Sequence, residues 1–277
     1  MDAQKEKMHK EPRTVRAVYF SPTGSTRKII RSFCAAITSS PPVECDLTLP
    51  RHRKGAIPEV KEDLLVLGFP VYEEKIPDQI TGLLDRLEGN NTPAVILAVY
   101  GGVDYGVSLQ QARSILERSG CTVIGAAAFV AEHSFATASI PLAAGRPDEK
   151  DLKKAAAFGR EILEYAAAGP GISTSVPGHL SVQARILPPG STRFFAHAPI
   201  PDPSLCSFCN TCVDVCPTAA VDPHSYRAEE KACIRCFACV KYCPQGARHK
   251  KYKKAWIVKP MLKRHTRSRK EPEYFLP

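Results

Sequence analysis

One cysteine spacing is repeated twice in under forty residues near the C-terminus. Cys206, Cys209, Cys212 and Cys216 precede Pro217 in the order C-x2-C-x2-C-x3-C-P, and Cys233, Cys236, Cys239 and Cys243 precede Pro244 in the same order. Three thiolates so spaced wrap one four-iron cube, and the fourth cysteine of each run is directed to the other cube. The expected wiring is therefore crossed. Cys206, Cys209, Cys212 and Cys243 hold one cluster, and Cys233, Cys236, Cys239 and Cys216 hold the second. A segment this small buries little apolar surface, so the clusters would staple it. Other chemistries fit the spacing less well. Disulfides belong to an oxidising compartment, and the opening residues MDAQKEKMHK hold no apolar signal segment. Zinc favours paired C-x2-C elements across a longer spacer. Cys34, Cys45 and Cys121 stand alone in apolar stretches and read as core thiols.

The first 170 residues alternate strand and helix. Val15–Phe20, Val43–Leu47, Asp63–Gly68, Ala94–Tyr100 and Thr122–Val130 read as strands. Arg27–Ile37, Pro77–Leu87, Tyr105–Arg118 and Asp148–Ala167 read as helices, with Pro41-Pro42 and Gly120 as stops. This alternation predicts an α/β fold, a five-stranded parallel sheet covered on both faces. Right-handed crossovers predict a doubly wound order, 2-1-3-4-5.

In such sheets ligands bind beyond the carboxyl ends of the strands. Three loops meet there. Ser21-Pro22-Thr23-Gly24-Ser25-Thr26 leaves a strand and enters a helix, a place where backbone N–H groups and the helix dipole suit a phosphate. It has neither a Walker lysine nor a three-glycine fingerprint. Ser21 or Thr23 could equally serve as an ordinary helix cap. Gly68–Pro77 carries Pro70, Val71 and Tyr72, and the third loop runs Tyr100-Gly101-Gly102-Val103-Asp104-Tyr105-Gly106. Two tyrosine loops beside a phosphate loop could sandwich a flat heterocycle, while either tyrosine alone reads as core or surface. Phe129–Ile140 adds Glu132 and His133 at the same edge. His133 is a candidate proton donor or substrate contact, with Tyr72 as a second, against the commoner reading of a satisfied structural histidine.

The loops S-P-T-G-S-T, G-F-P-V-Y and Y-G-G-V-D-Y resemble those of the flavodoxin family over residues 14–168, and the doubled cysteine run resembles the bacterial two-cluster 4Fe–4S ferredoxins. The first resemblance implies a flavodoxin-like sheet that binds FMN. Ser21, Thr23, Gly24, Ser25 and Thr26 would hold its phosphate. Tyr72 and Tyr105 would lie near the ring, with Pro70, Val71, Gly101, Gly102 and Asp104 lining it, and Tyr100 and Gly106 bounding the third loop. The loop containing Glu73, Glu74 and Lys75 is more charged than the family pattern. The second resemblance implies a small α+β domain with two 4Fe–4S clusters. The expected organisation is an N-terminal extension (1–13), the flavodoxin-like domain (14–168), a Pro/Gly-rich linker (169–203), the ferredoxin-like domain (204–249) and a basic tail (250–277). Within the linker, Leu180–Leu187 alternates and is expected to form a strand.

The net charge of +10 is concentrated in that tail. Residues 250–277 hold ten Lys or Arg against Glu271 and Glu273, a balance of +8 that leaves only +2 for the rest. The tail's apolar anchors, from Trp256 to Leu276, favour docking on the protein itself or on a partner. An anionic membrane surface is an alternative, and nucleic acid is a weaker one. No run of about 18 apolar residues exists to span a bilayer. The expected setting is cytoplasmic and reducing, in an organism that tolerates oxygen-sensitive clusters, such as an anaerobe. The expected function is electron transfer between FMN, two 4Fe–4S clusters and a redox partner such as a ferredoxin, a flavodoxin or an oxidoreductase. The alternative is FMN-dependent reduction of a small organic substrate supplied through the clusters. Lys231, Arg235 and Lys241 are expected to stabilise the reduced clusters.

Overall fold

The computed structural model describes residues 14–55, 59–168, 173–186, 188–266 and 268–277. The expected N-terminal extension lies outside them. Strands β1 (Val15–Tyr19), β2 (Val43–Asp46), β3 (Leu64–Pro70), β4 (Pro93–Tyr100) and β5 (Thr122–Val130) form a parallel sheet in the order β2-β1-β3-β4-β5. The strands β3 to β5 are almost wholly buried, as their unbroken apolar runs require of a sheet covered on both faces. Helices α1 (Ser25–Cys34) and α4 (Glu149–Ala168) pack one face through Ile29, Phe33, Phe158 and Ile162. Helices α2 (Asp78–Leu84) and α3 (Ser108–Arg118) pack the other through Ile80, Leu84, Leu109 and Leu116. The chain reverses direction across the sheet between β1 and β3, which sets the crevice for a ligand there.

Two expectations need correction. The sheet has six strands, because β6 (Glu273–Phe275), from the basic tail, adds antiparallel to the β5 edge. Its side chains alternate between faces: Tyr274 and Leu276 pack with Phe158's cluster and Phe275 with Tyr105's. The linker stretch expected as a strand instead forms helix α5 (Val182–Ile186), and Leu187 lies outside the described residues. The Glu74 carboxylate accepts from Ser181 N–H at 2.7 Å and from Ser181 Oγ–H at 2.5 Å, and Ser181 Oγ in turn accepts from Ala184 N–H. That is capping chemistry, and it turns the chain into a helix despite the alternation. Helix α6 (Thr192–Phe195) begins in the same way, with Glu73 accepting from Gly190 and Thr192 N–H.

The cysteine segment is an internal repeat offset by 27 residues. Helix α7 (Thr211–Asp214) follows Cys209 as α8 (Ala238–Lys241) follows Cys236. Phe208 and Asn210 bracket Cys209 at φ of 56° and 61°, and Arg235 and Phe237 bracket Cys236 at 56° and 57°. Left-handed backbone at four non-glycine residues is costly, and here it turns successive thiols toward common centres. Helix α9 (Ala255–Lys263) then buries Val258 and Leu262 against Phe237 and Phe135. The tail thus docks on its own protein. Arg269 pairs with Asp148 and Asp151, and the Lys154 ammonium meets Glu271.

Candidate functional site

The cysteines fall into two differently placed groups. Cys206, Cys209, Cys212 and Cys243 line one small cavity, with Thr211, Tyr226 and Arg248 around them. Among the described residues no three His, Cys, Asp or Glu side chains close on a single-ion point. Cys233, Cys236, Cys239 and Cys216 are all buried. Burial pushes the Cys236 thiol well above its ordinary value, and Cys239, Cys233 and Cys216, its neighbours, push the same way. Burial carries Cys239 up to about 12, opposed by the adjacent Arg248 cation. The repeat extends to the backbone donors. Ala220 N–H donates to Cys216 Sγ at 3.2 Å, and Ala247 N–H to Cys243 Sγ at 3.3 Å. Such N–H···S bonds stabilise negative charge on sulfur.

The environments of the two sets differ. Cys209 is exposed, its thiol lowered by the Thr211 hydroxyl 3.3 Å away, and Phe208 beside it is 62% exposed. The second set faces the sheet. Ile234 packs into the core cluster of Phe20, Phe69 and Tyr105, and Phe237 stacks edge-on with Phe135 at 5.6 Å. The Arg53 guanidinium donates to Pro217 O at 2.6 Å. The cysteine-bearing segment is therefore seated on the carboxyl edge of the sheet.

That edge is where the loops of the first domain converge. Gly24, at φ +80°, is the N-cap of α1 and makes no side-chain cap bond. Ser21 Oγ does accept from Arg27 N–H at 3.0 Å, so Ser21 caps the helix in part. The N–H groups of Ser25 and Thr26 meet no protein acceptor among the described residues. A helix start with free donors and a glycine turn suits a phosphate, and Thr23 lies in that turn. A side chain at Gly24 would sit 2.9 Å from the Tyr242 hydroxyl, so the residue before Cys243 rests on this loop.

Tyr72 and Lys75 close a two-residue hairpin whose central residues, Glu73 and Glu74, have φ of 51° and 64°, as a type I′ turn requires. The hairpin explains the charged loop, because both carboxylates hold the linker. Tyr72 meets the Phe20 ring edge-on at 6.5 Å. Burial raises its phenol well above the ordinary value, and nearby Cys236 adds to the rise, so Tyr72 stands between the sheet edge and the second thiol set. Pro70 and Val71 lead into the hairpin, and Val71 N–H donates to Val99 O at 2.8 Å. In the third loop, Gly106 N–H donates to Asp104 Oδ1 at 2.8 Å. Gly102 has φ +79°, and Gly101 sits against the His133 ring. Tyr105 and Tyr100 are spent elsewhere. Their rings stack edge-on at 5.4 Å, and the Tyr105 hydroxyl donates to Glu273 Oε2 at 2.7 Å. His133 Nδ1 accepts from Phe135 N–H at 3.0 Å, and its pKa falls to about 4 through burial and then the Lys250 and His265 charges. It is a neutral imidazole whose proton lies on Nε2.

Residues 198–244 match the 4Fe-4S dicluster domain family, and the strand order of the first domain is the flavodoxin-like one. The chain joins a sheet of flavodoxin-like strand order to a segment that matches the 4Fe–4S dicluster domain family. No curated protein matches its sequence significantly. Among solved structures, the fusion is similar to a short-chain flavodoxin associated with a non-canonical PDU bacterial microcompartment, at 14% identity, with 56% of this chain and 99% of that chain covered and a TM-score of 0.40. It is also similar to oxidised flavodoxin 2 from Bacillus cereus, at 12% identity over 55% and 98% of the two chains, with a TM-score of 0.41. For rubredoxin oxygen:oxidoreductase from the anaerobe Desulfovibrio gigas the values are 15%, 58% and 37%, with a TM-score of 0.38. The strand order, not these scores, carries the fold assignment.

Three groups of the fusion's site escape sequence reasoning. Arg248, 2% exposed, lies between the thiol sets: Nη1 is 3.9 Å from Cys239 Sγ, and the side chain lines the cavity of the first set. Its counterpart in the first repeat is Val221, so the charge breaks the repeat at this position, the one signal available. Tyr242 carries no such signal, and the Glu73-Glu74 pair shows only as the excess charge of its loop. Arg235, expected to act on a cluster, is committed instead to Glu230 and to the Ala196 and Cys233 carbonyls.

Proposed function

We propose that the fusion is an iron–sulfur flavoprotein that passes electrons between FMN at the sheet edge and an external redox partner, through two 4Fe–4S clusters. The observation that carries this reading is the seating of the second thiol set against the three loops, while the first set is less buried and includes the exposed Cys209. FMN exchanges electrons singly or in pairs, and each cluster exchanges one. Ser21, Thr23, Gly24, Ser25 and Thr26 would hold the phosphate by hydroxyls and free N–H groups. Pro70, Val71, Tyr72, Gly101, Gly102 and Asp104 would border the ring, with Tyr100, Tyr105 and Gly106 bracing them from behind. Cys233, Cys236, Cys239 and Cys216 would hold the cluster beside that site. Cys206, Cys209, Cys212 and Cys243 would hold the cluster that meets the partner. Tyr242, Ile234 and Phe237 cover the edge, which favours a carrier over an enzyme that admits a small organic substrate to an open flavin face. The roles of His133 and Tyr72 follow from this: they exclude water and brace the site, and His133 offers a neutral Nε2–H donor. The reading carries with it a reducing, cytoplasmic setting.

Anaerobic purification with flavin, iron and sulfide assays tests it. One FMN and about eight irons per chain are expected. Thr23→Ala with Thr26→Ala should weaken FMN retention and leave iron unchanged. Iron without flavin in the wild type would remove the FMN half of the reading.

A further inference from the structure

Helix α9 presents two unlike faces. Val258 and Leu262 point inward and are buried. Trp256, Lys259, Pro260 and Lys263 point outward on one stripe, at the i, i+3, i+4 and i+7 spacing. Trp256 is the only tryptophan of the chain and is 78% exposed. Lys254 and Arg264 flank the stripe and are exposed. The tail's ion pairs lie elsewhere, at Lys253 with Glu230 and at Arg269 with Asp148, Asp151 and Glu271. Among the described residues, no ion pair reaches Lys254, Lys259, Lys263 or Arg264. An open groove runs beside the stripe, lined by Ser139, Pro141, Lys263, Arg264 and Thr266 among others. The neighbouring loop, residues 134–145, contains no acidic residue.

We infer that this face docks on an anionic phospholipid surface, with Trp256 at the headgroup boundary and the groove taking a lipid phosphate. The residue types select lipid over an acidic protein. Lysine is depleted from protein–protein interfaces, and this face offers one aromatic ring among cations, without the apolar core such an interface needs. Tryptophan with long flexible cations is the pairing that suits a membrane interface: the ring sits among headgroups, and lysine stems reach along it to the phosphates. Clusters of Lys or Arg on a helix face bind anionic lipids, and one exposed tryptophan adds an interfacial anchor. No described helix is long and apolar enough to cross a membrane, so this contact would be peripheral. The inner side of α9 rests on Phe237, next to Cys236. Docking would therefore set the second thiol set about one helix diameter, roughly 10 Å, behind the lipid surface.

The test uses the full chain with its iron retained. Co-sedimentation is measured with vesicles of phosphatidylcholine mixed with phosphatidylglycerol and with vesicles of phosphatidylcholine alone. Binding only to the mixed vesicles, weakened by salt and accompanied by a blue shift of Trp256 emission, is expected. Lys259→Glu with Lys263→Glu should lower the partition more than about tenfold, with iron, flavin and circular dichroism unchanged. Trp256→Ser should weaken binding without changing its salt dependence. Lack of binding to the mixed vesicles at low salt would overturn the inference, as would equal binding by the double glutamate variant. Retention on an immobilised acidic protein without vesicle binding would overturn it in favour of a protein partner. The iron and flavin contents report separately on the electron-transfer reading, so either idea can fail alone.

Discussion

Gly106→Ala tests whether the two loops at the sheet edge are laced into one unit. Gly106 has φ +54°, and a methyl built there lies 2.3 Å from Glu74 Cβ, 2.6 Å from its carbonyl oxygen and 3.0 Å from its Cα. The left-handed backbone costs an alanine about 1–2 kcal/mol. The overlap is with backbone that cannot swing away, and overpacking of this kind adds about 1–3 kcal/mol. The expected loss is about 2–5 kcal/mol. Gly145 supplies the control, because its φ is +75° and nothing lies within 4 Å of an added methyl. Gly145→Ala should therefore lose only the backbone part, about 1–2 kcal/mol. Urea unfolding followed by far-ultraviolet circular dichroism gives the two losses side by side. Displacing Glu74 also frees Ser181 from its carboxylate and tilts the Tyr72 hairpin. Gly106→Ala should then retain less flavin than Gly145→Ala at equal iron content. A Gly106→Ala loss no larger than that of Gly145→Ala would refute the lacing argument.

Crossed wiring predicts a pattern of non-additive iron loss. Cys216→Ser should remove about half the iron, Cys236→Ser added to it should remove little more, and Cys209→Ser added to it should remove most of the rest; the reverse pattern in the two double variants contradicts the wiring. Arg248→Met removes a buried cation beside Cys239 and the first-set cavity, so both cluster potentials should fall in an anaerobic titration followed by electron paramagnetic resonance. Arg248→Lys should restore much of the shift, and unchanged potentials in an iron-replete Met variant would sink the idea. His133 is depressed from 6.5 to about 4 in the fold. Below about 6.5 the unfolded chain takes up a proton that the folded chain refuses. The stability tied to the neutral ring is present above that pH and is lost as pH falls toward about 4. His133→Gln should flatten this part of the pH–stability profile, and a profile identical to wild type would count against the neutral ring.

Much of this was legible because the informative signals are local. The strands β3, β4 and β5 announce themselves as unbroken apolar runs between turn residues, and the order of elements then leaves few topologies. The cysteine spacing encodes its own geometry, since the turns that aim the thiols lie inside each run. The illegible parts depend on partners distant in sequence. Strand β6 is three residues long and pairs with Ala126–Ala128 across the whole iron–sulfur module. Nothing within Glu273–Phe275 distinguishes it from a loose tail. The linker alternates like a strand, yet Val182 and Ile186 are exposed and find no sheet to face, so the carboxylate of Glu74 decides its conformation. Tyr105 looks like a ring contact in the loop pattern, and only Glu273, 168 residues later, reveals where its hydroxyl goes.

The seating of the module changes what the linker does. A flexible connection between two carriers raises their effective concentration but leaves each transfer waiting on a search. Here the search is removed. Glu73 and Glu74 anchor the linker at Ser181 and at Gly190–Thr192, Arg235 ties the second cysteine run to Ala196, and Lys250 donates to Ala136 O at 2.7 Å on the sheet side. These bonds run from the hairpin that carries Tyr72, through the linker, to the loop that carries Cys236. The hairpin residues occupy left-handed backbone that glutamate adopts reluctantly, and the linker's N–H groups at Ser181, Gly190 and Thr192 supply the compensation. Removing the linker contacts would therefore relax the hairpin as well as loosen the module. The loop at the sheet edge and the distance to the second thiol set are fixed by one network, which explains why the charge stands in this loop rather than on the solvent face of a helix.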